Sequence, residues 1–175
     1  MTSTTLDSGT VPAHVSHPAA AQARSLWQRL VGTGDDPTTT LLRLALGIVM
    51  FPHGAQKTLG WFGGYGFSGT MAYFTQQAHI PAVFAFLAIT AEFAGSLGLI
   101  SGLLTRVAAF GILCNMVVAV ATVHAPIGFL MNWYGQYPAG KEGFEYHILA
   151  GAIAIALMVR GGGSWSVDRV LSSKR

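Results

Sequence analysis

The chain has 175 residues, of which 51% are hydrophobic and 10% charged, against about 25% charged in an ordinary soluble domain. A net charge of +3 from thinly spread basic residues excludes a nucleic-acid footprint, and a single cysteine, Cys114, excludes an internal disulfide or a cysteine-based metal cluster. With a mean hydropathy of +0.49 and 22 glycines, the chain reads as one all-α integral membrane domain.

Residues 1–37 are expected to form a cytoplasmic tail. Its first 23 residues, rich in Thr, Ser, Ala and Pro, cannot bury enough apolar surface to offset their ordering entropy and are expected to be disordered. Their polarity argues against a cleavable signal peptide. Ala20 to Val31 suits a short helix on the membrane surface, with Leu26, Trp27, Leu30 and Val31 on one side and Arg24 and Arg29 towards water and lipid phosphates. A plain linker is the alternative.

The membrane domain is expected over residues 38–163. Asp36-Pro37 is a helix start, with Asp as N-cap and Pro at the first helical position. The first spanning helix then runs from about Thr38, through a kink at Pro52, to about Leu59, because stopping at Pro52 would cover only roughly 22 Å of a roughly 30 Å hydrocarbon layer. A glycine-rich loop, Gly60 to Gly66, and a short interfacial helix, Gly69 to Ala78, follow. The second span is expected from about Pro81 to Leu104, the third from about Val107 to Ala125. Cys114, mid-way along the third, suits core packing rather than a reactive thiol. An aromatic loop with Trp133, Tyr134 and Tyr137 favours the headgroup level. The fourth span, from about Phe144 to Val159, is stopped by Gly161-Gly162-Gly163. Residues 164–175 are expected as a cytoplasmic tail.

The expected architecture is therefore a four-helix membrane bundle with short interfacial helices. One side holds Arg24, Arg29, Arg43, Arg106, Arg160, Arg169, Lys174 and Arg175, the other Lys57 and Lys141. That split of 8 to 2 places both termini in the cytoplasm.

Two sets of residues carry chemistry. Arg43 and Glu92 are charges inside spans, and a lone charge there costs at least about 2.5–3.5 kcal/mol, so such charges pair or line a cavity. Both lie roughly 15 Å below the outer ends of their helices, which allows an interhelical pair. Gly95 and Gly102 share the Glu92 side, where small residues admit a neighbouring helix, so Glu92 is expected to face the bundle. A structural clamp, a proton relay or substrate contact, and an Arg43 that snorkels to the surface remain alternatives.

The second set sits at the outer ends: His53 and Lys57, His124, and Glu145 with His147. Histidine exchanges protons near neutral pH, and a quinone in the acyl region needs donors for its carbonyls and aromatic walls for its ring. The expected site is a pocket of His53, Lys57, Glu92, His124 and Glu145 with Glu92 as floor, joined to Arg43 beneath it. The glycine-rich loop and the Trp133–Tyr134 loop would form its lid. A histidine would bond a carbonyl, Lys57 would stabilise developing negative charge, and Glu145 would exchange the proton with water. Glu145 and His147 lie about 200° apart on their helix, so one of them is expected to face inward. Residues that only wet the interface are the competing reading. Axial histidines for a haem, or a zinc site from the same residues, are weaker alternatives. The sequence carries no flavin, haem or iron–sulfur motif.

Several stretches in order resemble the DoxX/DoxD-like family of small bacterial membrane proteins. They are Leu42-Arg43-Leu44-Ala45-Leu46-Gly47, His53-Gly54-Ala55-Gln56-Lys57, Phe62-Gly63-Gly64-Tyr65-Gly66, Glu92-Phe93-Ala94-Gly95, Gly102-Leu103-Leu104-Thr105-Arg106 and Gly161-Gly162-Gly163-Ser164-Trp165-Ser166-Val167-Asp168. They cover about Leu41 to Asp168. The resemblance implies a four-helix protein of the bacterial inner membrane, in some relatives a subunit of a thiosulfate:quinone oxidoreductase, a terminal quinol oxidase or an oxidative-stress complex. It makes Arg43, His53, Lys57 and Glu92 the matching candidates. The expected function is an accessory quinone-linked redox subunit. Its quinone would come from outside, and its partners would be membrane lipids, a soluble redox enzyme and further copies of itself. A small-molecule transporter or membrane scaffold is the alternative.

Overall fold

The computed structural model describes residues 25–138 and 140–173. The disorder expected for residues 1–23 and the start of the surface helix, Ala20 to Arg24, lie outside that range. Among the described residues there are seven α-helices and no strand.

Helix α1 (Leu26–Val31) is started by a capping box at Ser25, its hydroxyl accepting from the Gln28 amide while the Gln28 side chain accepts from the Ser25 amide. Leu26 is 74% exposed and Trp27 is also exposed, whereas Val31 is buried. Helix α2 (Pro37–Leu59) begins where the Asp-Pro signal puts it, with the Asp36 carboxylate accepting from the Thr38 amide, and runs through Pro52 to a left-handed Gly60. The carboxyl of Asp36 is held below its ordinary value chiefly by the Thr39 hydroxyl, and that of Asp35 by the Ser164 hydroxyl with help from Arg169.

The glycine-rich loop is ordered as a 3₁₀ turn, Trp61–Gly63. Helix α3 (Gly66–Ala72) continues into a π-helical turn, Tyr73–Gln77. Helices α4 (Ala82–Ser101) and α5 (Thr105–Ala119) follow, the latter extended by a π-helical turn to His124. Then come α6 (Glu145–Arg160) and α7 (Val167–Ser173).

Helix α2 packs on α4 and α6, α4 on α5, and α5 on α6. Met50, Leu99, Ile112 and Leu157, one from each helix, are fully buried at the centre. Two helices, Ala82–Ser101 and Thr105–His124, are long and apolar enough to cross a membrane, and only 33% and 17% of their most apolar windows are buried. Their apolar surface therefore points outward, as contact with lipid requires. Helix α2 is as long but carries Arg43, His53 and Lys57. Helix α6 has 16 residues, roughly 24 Å of rise, and the buried segment Gly161 to Ser164 continues from its end.

One expectation is corrected here. Cys114 is exposed on the outer face of α5 rather than packed in the core, because Ile112 and Met116 take the inward positions of that helix. The segment after Gly163 packs on the end of the bundle: Ser164, Ser166 and Asp168 are buried, and Arg169 pairs with Asp35 at 2.7 Å.

Helices α2 and α4 approach most closely at Gly54. A Cβ there would lie 2.6 Å from Phe93 Cα and 2.7 Å from its nitrogen, which neither backbone can accommodate without moving. Gly54→Ala is expected to lower the thermal midpoint in detergent, by the roughly 1–3 kcal/mol typical of overpacking. Gly95→Ala, whose Cβ would make ordinary contacts of 3.5 Å with Ala108 O and Ile112 Cγ1, is the tolerated control. Equal melting curves for the two would contradict the close approach.

Candidate functional site

The contact at Gly54 sets the register of α2 against α4 and decides which charges meet. One turn beyond it, Lys57 Nζ reaches Glu92 Oε1 at 2.8 Å, with the Glu92 side chain 8% exposed and that of Lys57 30% exposed. As expected, Glu92 and Gly95 face the bundle.

The expected pair of Arg43 with Glu92 is not formed. Gly54 lies opposite Glu92 and Phe93, and Arg43 is 11 residues earlier on α2, roughly 16 Å along the axis, too far for a side chain to close. Arg43 is 1% exposed and donates only to backbone carbonyls. Its Nε meets Gly162 O at 2.9 Å, Nη1 meets Leu99 O and, at 2.8 Å, Ile100 O, and Nη2 meets Trp165 O at 3.3 Å. Two of these acceptors belong to the last turn of α4, where a cation also complements the helix dipole. Asp168 complements the arrangement by accepting from the amides of Leu104 at 2.7 Å and Thr105 at 2.8 Å, at the start of α5. The segment Gly161 to Asp168 is thus a lock across the α4–α5 turn, with Arg43 as its bolt.

The other expected site residues separate into two groups. His53, on α2 and open to the outside, has its ring 6.4 Å from that of Tyr146. The Tyr146 hydroxyl meets Met50 Sδ at 3.3 Å, and its ring is 5.6 Å from His147. The rings of His147 and His124 meet with centroids 4.1 Å apart, tilted by 43°, and His124 Nδ1 is 2.7 Å from Glu142 O. Imidazoles this close cannot stand on opposite faces of a porphyrin, so this pair offers no haem site. Among the described residues no three His, Cys, Asp or Glu side chains converge in a way that would hold a metal ion.

Glu145 turns away from this row. Its Oε1 accepts from Trp133 Nε1 at 2.7 Å and from the Met131 amide at 3.1 Å, so both residues of this pair, expected in the pocket and its lid, instead tie down the 131–133 loop. Glu142 does the same through the Asn132 amide at 2.6 Å. Glu145 and His147 do point apart, as their spacing requires, and His147 is the one directed towards His124.

A cavity of about 270 Å³ opens beside Lys57, walled by Gln56, Gly64, Tyr65, Thr70, Tyr73 and Phe74. The glycine-rich loop builds its rim. A Cβ at Gly64 would collide with the Gln56 backbone, so only glycine lets the loop lie directly on α2 at this point. The aromatic walls are therefore Tyr65, Tyr73 and Phe74 rather than Trp133 and Tyr134. Thr70 carried no signal in the sequence, since nothing in a linear reading shows that α3 folds over Lys57, and Gln56 entered only as part of the stretch from His53 to Lys57.

Outward-facing apolar helices and charges paired inside the helix packing define an all-helical membrane protein. The pattern of the DoxX family matches residues 38–125. The chain is also 32% identical over 163 residues to the "Uncharacterized membrane protein Rv3486" of Mycobacterium tuberculosis (strain ATCC 25618 / H37Rv), covering 85% of this chain and 90% of that protein. The chain belongs to the DoxX family, as its ordered motifs anticipate. No solved structure matches it.

Proposed function

We propose that this protein is an accessory subunit of a quinone-dependent redox system in the bacterial inner membrane, with α2, α4, α5 and α6 as its spans and both termini in the cytoplasm. The orientation is supported by where the basic residues fall. Arg106 opens α5, Arg160 closes α6 and Arg29 ends α1, while Lys57 and Lys141 lie at the other end. Reporter fusions after Gly64 and Gln136 are expected to give periplasmic signals. Cytoplasmic signals at those sites would reverse the topology.

The observation that carries the redox reading is a cation held by a buried carboxylate at the edge of an aromatic-walled cavity. At about 270 Å³ the cavity is smaller than the 300–1,000 Å³ of drug-sized sites and suits a single substituted ring. Donors and aromatic walls are what a quinone headgroup needs, so the lining fits the group. A quinone, when bound, supplies the carrier of electrons and protons. The protein's part is to hold it. Lys57 Nζ would donate to a carbonyl oxygen and favour negative charge there, Gln56 would add a polar contact, and the tyrosine and phenylalanine faces would confine the ring. Glu92 holds Lys57 in place. His53, close to this pair and open to the outside, is the residue placed to exchange protons, a role Glu145 gives up to its loop bonds.

The protein purified in mild detergent is expected to retain extractable quinone and to bind a short-chain benzoquinone. Tyr73→Ala should bind it roughly tenfold more weakly. Protein that holds no quinone, is indifferent to Tyr73→Ala and moves solute in liposomes alone would establish the transporter reading instead.

A further inference from the structure

The opposite end of the protein holds a second cavity, of about 560 Å³, lined by Gln28, Gly32, Thr33, Arg106, Arg160 and Ser172. It lies at the beginning of α5 and the end of α6, level with the inner end of the span Thr105–His124. Among the described residues two guanidinium groups line it and no carboxylate does. The carboxylates of Asp35 and Asp36 are engaged elsewhere. Asp35 bonds Arg169 and Ser164, and Asp36, although within Coulombic reach of Arg160, accepts from the Thr38 amide and the Thr39 hydroxyl.

Arg106 is a fixed part of the wall. It donates to Met158 O, to Val159 O at 2.8 Å and to Gly32 O at 2.9 Å, and its Nε is buried without a hydrogen-bond partner among the described residues. Arg160 is exposed and free to adjust. The Gln28 side-chain oxygen is used by the Ser25 amide, which leaves its NH₂ as a further donor at the cavity. The surroundings are apolar: Leu26 and Trp27 of α1, Val107 and Phe110 of α5 and Val159 of α6 are exposed.

A basic, donor-rich cavity at the end of a span, bordered by outward apolar side chains, fits a ligand with an anionic head and an apolar tail. We infer that it binds the phosphate of an anionic phospholipid headgroup, held by Arg160 and Arg106, with the acyl chains lying along the exposed faces of α5 and α6. The apolar border distinguishes this ligand from free phosphate, which would leave that surface unused.

The test uses the full-length protein in detergent, titrated with phosphatidylglycerol, phosphatidylcholine or inorganic phosphate, and read by thermal midpoint and by native mass spectrometry of retained lipid. Wild type is expected to retain phosphatidylglycerol and to melt higher with it, and not with the other two. Arg160→Gln should weaken retention roughly fivefold. Ser172→Glu, which adds a carboxylate to the cavity without touching either arginine, should abolish it. Lys141→Gln, at the other end of the protein, should bind as wild type. Equal retention of phosphatidylcholine, or full retention by both cavity variants, would overturn the site. A midpoint raised as much by inorganic phosphate alone would assign the arginines to a soluble phosphate and overturn the lipid assignment.

Discussion

Replacing Arg43 by methionine is expected to abolish the folded protein rather than to reduce an activity selectively. The guanidinium is 1% exposed and answers four backbone carbonyls from two separate chain segments. Removing it strands those acceptors away from water, at about 1–3 kcal/mol for each one left unsatisfied, against the 5–15 kcal/mol that holds a typical domain together. Lysine is not a conservative exchange here, because a compact ammonium cannot reproduce the planar fork that reaches Gly162 and Leu99 together. Asp168→Asn should be milder, near 1–2 kcal/mol, since the amide oxygen keeps one of two amide donors and loses the charge at the start of α5. The measurement is the monodisperse fraction on size exclusion with the melting curve of what survives. An Arg43→Met protein that melts normally but has lost quinone would place Arg43 in the binding site and refute its structural assignment.

The same residue shows where the sequence is legible and where it is not. Helix positions were readable because their signals are local: Asp36-Pro37 starts α2, Gly60 ends it, and long apolar runs mark α4 and α5. The inward direction of Glu92 followed from the glycine on its own face. The choice of its partner did not, because two cations on α2 were available and only the register against α4 separates them. That register is fixed by the backbone contact at Gly54, within one turn of Lys57 and three turns from Arg43. The lock of Gly161 to Asp168 was invisible for a related reason. Asp168 acts on Leu104, 64 positions away, so a stretch that reads as a polar tail is an N-cap delivered from elsewhere. Glu145 illustrates a third limit. Helical spacing separated it from His147, but only a folded loop shows that its acceptors belong to Trp133 and Met131.

Breaking the Lys57–Glu92 pair from either side is expected to produce the largest functional loss. The carboxylate is 8% exposed and its partner 30%, so Glu92→Gln leaves an ammonium among packed helices with no counter-charge, and Lys57→Met leaves a buried carboxylate. In soluble proteins removing one member of a buried pair costs roughly 3–5 kcal/mol, and within a bilayer a lone charge is disfavoured as well. Both single variants should therefore melt lower and lose benzoquinone binding by more than about tenfold. The informative protein is the double variant Lys57→Met with Glu92→Leu. Replacing both partners by apolar groups of similar size is often neutral for stability, so its melting curve should return towards wild type. Binding should not return, because Lys57 Nζ is the donor that a quinone carbonyl would meet at the cavity edge. Were the double variant to regain stability and bind benzoquinone as wild type does, the pair would be a helix clamp alone, and the cavity beside it would have to recognise its ligand through Gln56 and the aromatic walls.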